Sequence, residues 1–145
     1  MTDIALKIAQ EAFKTKVDKA GKPYFLHCER VMNSIILEQG DICDEIKCIA
    51  LLHDLLEDCP EWNEKSLSCF FNQRVINGIK AMTHKENQNY DDYISQVLEN
   101  KDAKLVKKHD LKDNMDITRL FQVTEKDLQR IKKYQNAYQR IVSFD

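Results

Sequence analysis

The chain has 145 residues, 43% of them hydrophobic, which is enough to bury one core and excludes a disordered, solvating segment. Lys and Arg number 22 against 24 Asp and Glu, and the net charge of -2 excludes the strongly basic surface of a general nucleic-acid binder. We therefore expect one globular domain over 1–145, in which any anionic ligand is bound by a local patch of cations.

The cysteine pattern indicates a reducing compartment. Five cysteines are scattered through the chain without a CxxC pair, and an odd number without a secretory signal is typical of reduced thiols in the cytoplasm. The opening stretch MTDIALKIAQ has an early acidic residue and no long apolar run, so it predicts neither a signal peptide nor a membrane span. We expect a cytoplasmic protein that binds neither membranes nor nucleic acid, and the oligomeric state stays open.

The apolar spacing is helical almost throughout, and the chain has few turn formers, with 3 Gly and 2 Pro. A first amphipathic helix, with Ile4 and Ile8 on one face, ends before a loop at 16–23. Pro23 and Gly40 bracket a second helix. The remaining predicted helices span 44–58, 64–71, 73–82, 91–98, 103–116 and 125–142.

Two of these helices carry signals at their first residues. Asn72 is placed to cap the helix at 73–82, because its side chain can accept a hydrogen bond from the first turn. Thr124 and Asp127 have a spacing close to that of a capping box. The sequence therefore predicts an all-α domain, folded as a helical bundle.

Four ionisable side chains interrupt a run of leucines in the stretch LLHDLLEDCP at 51–60. His53 and Glu57 are four residues apart, as are Asp54 and Asp58, so on a continuous helix all four project from one broad side. Burying an unpaired carboxylate costs several kcal/mol, so this polar side needs a compensating partner, such as a metal ion. We expect the core face of this helix to consist of Ile46, Ile49, Ala50 and Leu56.

An adjacent His-Asp pair can offer two ligand atoms to one cation, and a closed coordination sphere needs further ligands from elsewhere. The candidates are His27, in PYFLHCERV, and Asp110, in LVKKHDLKDNMDITRL. Spacing alone leaves both open, since His27 also fits a satisfied core histidine and Asp110 also fits a solvated helix face.

Taken together, His27, the His53-Asp54 pair, the acidic pair that follows it and Asp110 have an order that resembles the HD superfamily of metal-dependent phosphohydrolases. Within that superfamily, the chain resembles the hydrolase domain of RelA/SpoT-type alarmone enzymes and their small stand-alone relatives. The matching segments, AGKPYFLHCERV, IALLHDLLEDC, VINGIKAMTH and LVKKHDLKDNMDITRL, cover most of 19–120. The resemblance implies an all-α HD-domain bundle, and the HDxxED element is its specific part.

The resemblance implies that a metal ion is held by His27, His53, Asp54 and Asp110. It also implies that Glu57 and Asp58 handle the catalytic water and that Asn114 contacts the ribose or a phosphate of a nucleotide. His109 creates a second His-Asp pair, but neighbours on a helix point about 100° apart, so we assign the ligand role to Asp110. Two imidazoles and two carboxylates suit Mn²⁺ better than a structural zinc, with Fe²⁺ or Zn²⁺ as alternatives.

In the alarmone hydrolases, the family reaction releases pyrophosphate from the 3′ position of ppGpp or pppGpp, the nucleotides of the stringent response. Such a substrate carries several negative charges, so its site needs cations besides the metal ion. Tyr134, one turn before Tyr138, can stack on a base. The residues expected to bind the substrate are Lys19, Lys22, Lys107, Asn114, Arg119 and Tyr134.

Some positions depart from the family pattern. Asp18 and Lys19 stand where a basic pair is usual, and Cys28 follows His27 where proline is usual. The sequence therefore also fits an HD phosphohydrolase that acts on another nucleotide, such as a nucleoside monophosphate or a nicotinamide dinucleotide phosphate. A non-catalytic, nucleotide-binding helical module is a further alternative.

Overall fold

A computed structural model describes residues 1–144, which form nine α-helices and one short 3-10 turn, Ile117–Arg119. The helices are α1 Thr2–Ala12, α2 Phe25–Gln39, α3 Asp44–Leu52, α4 Leu55–Asp58, α5 Glu64–Ser68, α6 Gln73–Ala81, α7 Tyr90–Leu98, α8 Lys101–Asn114 and α9 Glu125–Val142. Within 1–144 the only strand-like pairing is an isolated bridge between Val17 and Pro23, and no helix is long and apolar enough to cross a bilayer. The predicted all-α class is confirmed.

Asparagine caps begin four helices in succession, α5 to α8. The capping residues are Asn63, Asn72, Asn89 and Asn100. Each side chain accepts a hydrogen bond from an amide of the first turn, which is worth about 1 kcal/mol. α9 begins with a capping box between Thr124 and Asp127. The cap predicted at Asn72 and the box predicted at Thr124 are confirmed.

The prediction of one continuous helix over 44–58 is wrong, because that helix ends at Leu52. His53 and Asp54 connect α3 to the short α4, and Asp54 has left helical geometry with φ -98° and ψ 1°. The His53 ring donates from Nδ1 to the carbonyl oxygen of Ala50 at 2.7 Å, the acceptor that residue 54 would use in an unbroken helix.

α3 lies at the centre of the fold, where it packs against α1, α2, α6 and α8, and residues 48–52 are all fully buried. A helix with neighbours on so many sides has no single core face. The expected division into an apolar face and an open polar side is therefore wrong in part. Leu51 and Leu52 are fully buried, whereas Ile46 and Leu56 are only half-buried.

Gly78 allows α6 to approach α3 closely. A Cβ atom at this position would lie 2.3 Å from Cδ1 and 2.8 Å from Cγ1 of Ile49, which is fully buried. Non-bonded carbon atoms prefer about 3.5–4.0 Å. Packing, rather than backbone conformation, therefore requires glycine here.

We expect Gly78→Ala to lower the free energy of unfolding by about 1–3 kcal/mol, because it overpacks a filled core. The better helix propensity of alanine recovers about 1 kcal/mol at most. Urea denaturation followed by circular dichroism measures the change. Ile49→Val removes the Cδ1 atom, so Gly78→Ala should cost less in that background than alone. An equal cost in both backgrounds would contradict the steric explanation.

Candidate functional site

Three polar side chains meet inside the protein at the junction of α2, α3 and α8: His27, His53 and Asp110, each at most 3% exposed. Nε2 of His27 lies 2.9 Å from Oδ1 of Asp110, and Nε2 of His53 lies 3.3 Å from the same oxygen. Ligand atoms of these three residues lie within 4.8 Å of one another, a spacing at which they can hold one ion. Oδ2 of Asp54 lies 3.1 Å from Nε2 of His53, so all four predicted ligands are brought together.

Both imidazoles are held at the nitrogen that points away from this cluster. Nδ1 of His27 donates to Oδ2 of Asp113 at 2.6 Å, and Arg30 donates to both oxygens of the same carboxylate at 2.9 and 3.1 Å. Nδ1 of His53 donates to the carbonyl oxygen of Ala50. These bonds orient each ring and place a proton on Nδ1. Without a metal ion, the surrounding carboxylates raise the pKa of both rings and favour a second proton on Nε2; a metal ion that displaces this proton would meet the Nε2 lone pair.

The sequence analysis missed Arg30 and Asp113, although a signal was present. Arg30 lies three residues after His27, and Asp113 three residues after Asp110, so each shares a helix face with a predicted ligand. Burial acts to raise the pKa of the Asp113 carboxyl, but the hydrogen bonds from His27 and Arg30 lower it to about 2. The carboxylate that orients His27 is therefore ionised.

Tyr24, just before α2, is another contact that the sequence analysis missed. Its hydroxyl donates to Oδ2 of Asp54. Burial and the neighbouring charge of Asp54 raise the pKa of this hydroxyl far above its ordinary value, so it stays a donor. Burial also acts to raise the pKa of Asp54, but the charge of His53 outweighs this effect and the pKa falls to about 2. Asp54 therefore brings a negative charge to the cluster.

Asp110 carries a buried negative charge on α8. Lys107, one turn earlier, donates from Nζ to Oδ2 at 2.9 Å, and Asn114, one turn later, donates to Oδ1 at 3.1 Å. Burial acts to raise the pKa of Asp110, but the charges of Lys107 and His53 hold it well below its usual range. Burial likewise acts to lower the pKa of Lys107, and Asp110 raises it well above the usual value. Both groups are ionised inside the protein.

The donor set of this cluster fits a divalent cation. Nε2 of His53 is fully buried, and no residue in the described part of the chain gives it a hydrogen bond of good geometry. Burial acts to lower the pKa of both imidazoles, but the surrounding carboxylates raise it, so the cluster attracts positive charge. One metal ion would satisfy two imidazole nitrogens and two carboxylates at once.

His109 takes no part in this cluster. Its Nδ1 lies 2.6 Å from Oγ of Ser34 and its Nε2 lies 3.2 Å from Oε2 of Glu38, both of which are on α2. Neighbouring side chains on a helix point about 100° apart. Of the second His-Asp pair, only Asp110 reaches the cluster.

A cavity of about 540 Å³ borders the cluster, and His27, Asp54 and Asp110 are part of its lining. Six of the residues predicted to bind substrate or water also line it: Lys19, Glu57, Lys107, Asn114, Arg119 and Tyr134. Burial raises the pKa of Glu57 above its ordinary value, although a hydrogen bond from the backbone amide of His84 acts to lower it. Glu57 thus presents a carboxylate to the cavity beside Asp54.

Lys22 and Asp58 are not part of the lining. Lys22 lies on the exposed loop before α2, where its backbone amide donates to Oδ1 of Asp18 at 3.0 Å. Asp58 forms an ion pair with Nζ of Lys16. Because the chain breaks between α3 and α4, residues that are four apart across the break no longer project from one helix side.

α9 supplies two lining cations that the sequence analysis missed, Arg130 and Lys133. Nζ of Lys133 lies 4.7 Å from the centre of the Tyr90 ring and 5.3 Å from that of Tyr134. Burial and neighbouring positive charges lower the pKa of both Lys19 and Lys133. Crowded cations of this kind favour an anion. The predicted role of Tyr134 could have pointed to its neighbour Lys133, but only the fold shows that α9 lies over the cavity.

Comparison with known proteins finds similarity in structure. Neither a protein-family model nor a curated protein sequence matches this chain. Among solved structures, it is similar to a metazoan ortholog of SpoT that hydrolyzes ppGpp and plays a role in starvation responses. The TM-score is 0.81 at 18% sequence identity, over 97% of this chain and 84% of that chain. At this identity the similarity establishes a shared fold, and it confirms the helical bundle that the sequence resemblance implied.

We expect Lys107→Met to lower the free energy of unfolding of metal-free protein by about 3–5 kcal/mol, because it leaves the Asp110 carboxylate buried without its counter-charge. Lys108→Met is a matched control at the next position, where Nζ lies 2.9 Å from Glu38 in a more exposed pair. That change should cost less than about 1 kcal/mol. Guanidinium denaturation with a chelator present measures both, and equal losses would mean that Lys107 contributes packing rather than charge.

Proposed function

We propose that this chain is a metal-dependent nucleotide phosphohydrolase that releases pyrophosphate from the 3′ position of ppGpp or pppGpp. One observation carries the proposal: His27, His53, Asp54 and Asp110 converge beside a polar cavity in a fold shared with a protein that hydrolyzes ppGpp. The setting we propose is the cytoplasm, during the stringent response. In support, all five cysteines are free thiols, as expected in a reducing compartment.

We assign the metal ion to the four converging residues, through two imidazole nitrogens and two carboxylates. This mixed, oxygen-rich set suits Mn²⁺, with Fe²⁺ and Zn²⁺ as alternatives. A bound divalent ion supplies two effects, since it polarises a phosphoryl oxygen and lowers the pKa of water towards about 7. We assign proton transfer and substrate binding to side chains of the cavity.

Glu57 is the residue that we assign to proton transfer from the attacking water. Its carboxylate lines the cavity, and burial raises its pKa, which brings a carboxylate closer to the strength of an effective general base. Asp58, the other member of the acidic pair, does not line the cavity and forms an ion pair with Lys16, which does. We therefore propose that Asp58 holds Lys16 in place at the cavity wall and takes no part in proton transfer.

Binding of a multiply charged nucleotide falls to the cations on the cavity wall. Lys19, Arg130 and Lys133 gather there, and the lowered pKa of both lysines reflects burial and mutual repulsion. Phosphate groups would relieve that repulsion and form charge-assisted hydrogen bonds. Tyr134 offers an aromatic face for the base, and Asn114 offers its amide beside the cluster.

A second candidate is the same metal chemistry on another nucleotide, such as a nucleoside monophosphate or a nicotinamide dinucleotide phosphate. The observation that favours it is Asp18, which lines the cavity at a position where the family that the sequence resembles usually has a basic residue. An acid at this position disfavours a phosphate nearby. The first experiment therefore compares substrates.

With Mn²⁺ present, we expect purified protein to convert ppGpp to GDP and pyrophosphate. Asp54→Ala should reduce both metal retention and turnover to background, because it removes a ligand from the cluster. Asp41→Ala is the control, since Asp41 is fully exposed. Chromatography of reactions with ppGpp, GTP, deoxynucleoside monophosphates and NADPH identifies the products. If only another nucleotide is cleaved, that nucleotide replaces ppGpp as the proposed substrate. Binding of a nucleotide without any turnover would favour the non-catalytic module.

We expect Asp113→Asn to weaken Mn²⁺ binding about 10–100-fold, because it removes the charged acceptor that orients His27 and raises the basicity of its ring. Asp116→Asn is the matched control, since this exposed carboxylate contacts Thr118 and Arg119 rather than the cluster. Isothermal titration calorimetry measures both variants. Equal affinities for the two would contradict the role of the Asp113 charge in preparing His27 for the metal ion.

A further inference from the structure

The carboxylate of Glu57 is held by a turn that lies outside the helices. Its Oε1 accepts a hydrogen bond from the backbone amide of His84. α6 ends at Ala81 and α7 begins at Tyr90, so His84 belongs to the connection between them. The direction of the Glu57 carboxylate thus depends on how firmly this connection is fixed.

The ring of His84 anchors the turn on one side. It stacks on Tyr93 of α7, with ring centres 4.6 Å apart and planes inclined by 18°. Its Nε2 donates to the carbonyl oxygen of Gln88 at 2.6 Å. The hydroxyl of Tyr93 donates to the carbonyl oxygen of Met82 at 2.6 Å. Both ends of the turn are therefore attached to one aromatic pair.

Gln96 of α7 anchors the turn on the other side. Its amide nitrogen lies within donating distance of the carbonyl oxygens of Lys80 at 3.3 Å and Ala81 at 3.0 Å, at the end of α6, and of Thr83 at 3.1 Å, in the turn. Its amide oxygen accepts from Gln88 at 3.1 Å, and Gln88 in turn accepts from the amide of Lys85 at 3.0 Å. The Gln96 side chain thus attaches both the beginning and the end of the turn to α7.

We propose that Gln96 is a positioning residue that fixes the amide of His84 and, through it, the carboxylate of Glu57. The inference rests on the proposed function, in which Glu57 accepts a proton from water. Gln96 is not part of the cavity lining, so it acts on the reaction only through the turn. Proton transfer requires hydrogen-bond reach, and a misplacement of about 1 Å can cost up to about 100-fold in rate.

Gln96→Ala should lower kcat about tenfold or more while KM and Mn²⁺ affinity stay unchanged, because Gln96 is neither part of the cavity lining nor one of the proposed metal ligands. Gln73→Ala is the matched control on α6, where the glutamine amide donates to Asn77 at 2.8 Å on the exposed surface. It should change none of these quantities. In a Glu57→Ala background, Gln96→Ala should cause no further loss, and two losses that multiply would overturn the proposal.

Hydrogen exchange of the His84 amide tests the contact without any turnover. We expect this amide to exchange slowly in the unaltered protein and at least about tenfold faster in both Glu57→Ala and Gln96→Ala, read by NMR. A His84 amide that stays protected in Gln96→Ala would overturn the positioning role, even in an active enzyme. A protein that cleaves no nucleotide would contradict the proposed function instead, and the amide measurement would still decide whether Gln96 holds the turn.

Discussion

A negative charge inside a helical bundle is stable only while its donors stay in place, and Asp110 is such a charge. Its carboxylate takes donors from α8 itself, through Lys107 and Asn114, and lies against the imidazole of His27 on α2. A shift of one helix past the other by a single turn, about 5.4 Å, would separate these groups. The same contacts therefore fix both the register of α2 against α8 and the geometry of the candidate site.

This constraint carries a cost in stability. A buried ionic cluster is often no more stable than well-packed apolar residues of similar volume. The presence of two imidazoles and two carboxylates in the interior is thus better explained by the proposed metal ion than by a contribution to the stability of the fold. An ion that binds the folded state but not the unfolded state would stabilise the folded chain by mass action. Metal affinity and folding are thus linked through the same four side chains. The donors at Nδ1 of each ring prepare the cluster for that ion in advance.

The sequence predicted best where signals are local. The start of α9 was placed correctly because Thr124 and Asp127 need only each other to form a capping box. The break at His53 escaped prediction, since helical spacing continues through it and the ring is buried by helices far away in the chain. The four proposed ligands were predicted because a family resemblance joined separate segments of the chain, and the structure brings their side chains together. Tyr24 and Lys133 were missed because their roles depend on contacts across the fold, which periodicity does not record.

The departure from the family pattern at Asp18 has a physical explanation in the loop before α2. Its Oδ1 accepts the amides of the residues two and four positions on, at 2.9 and 3.0 Å, which closes the loop around Gly21 with φ of 79°. A short carboxylate is suited to this task, and a long basic side chain is not. The loop thus gains a rigid turn and loses a positive charge, while α9 contributes Arg130 and Lys133 to the same cavity. Since phosphates are attracted to cations, α9 together with Lys19 of the loop would determine where the charged end of the proposed substrate lies.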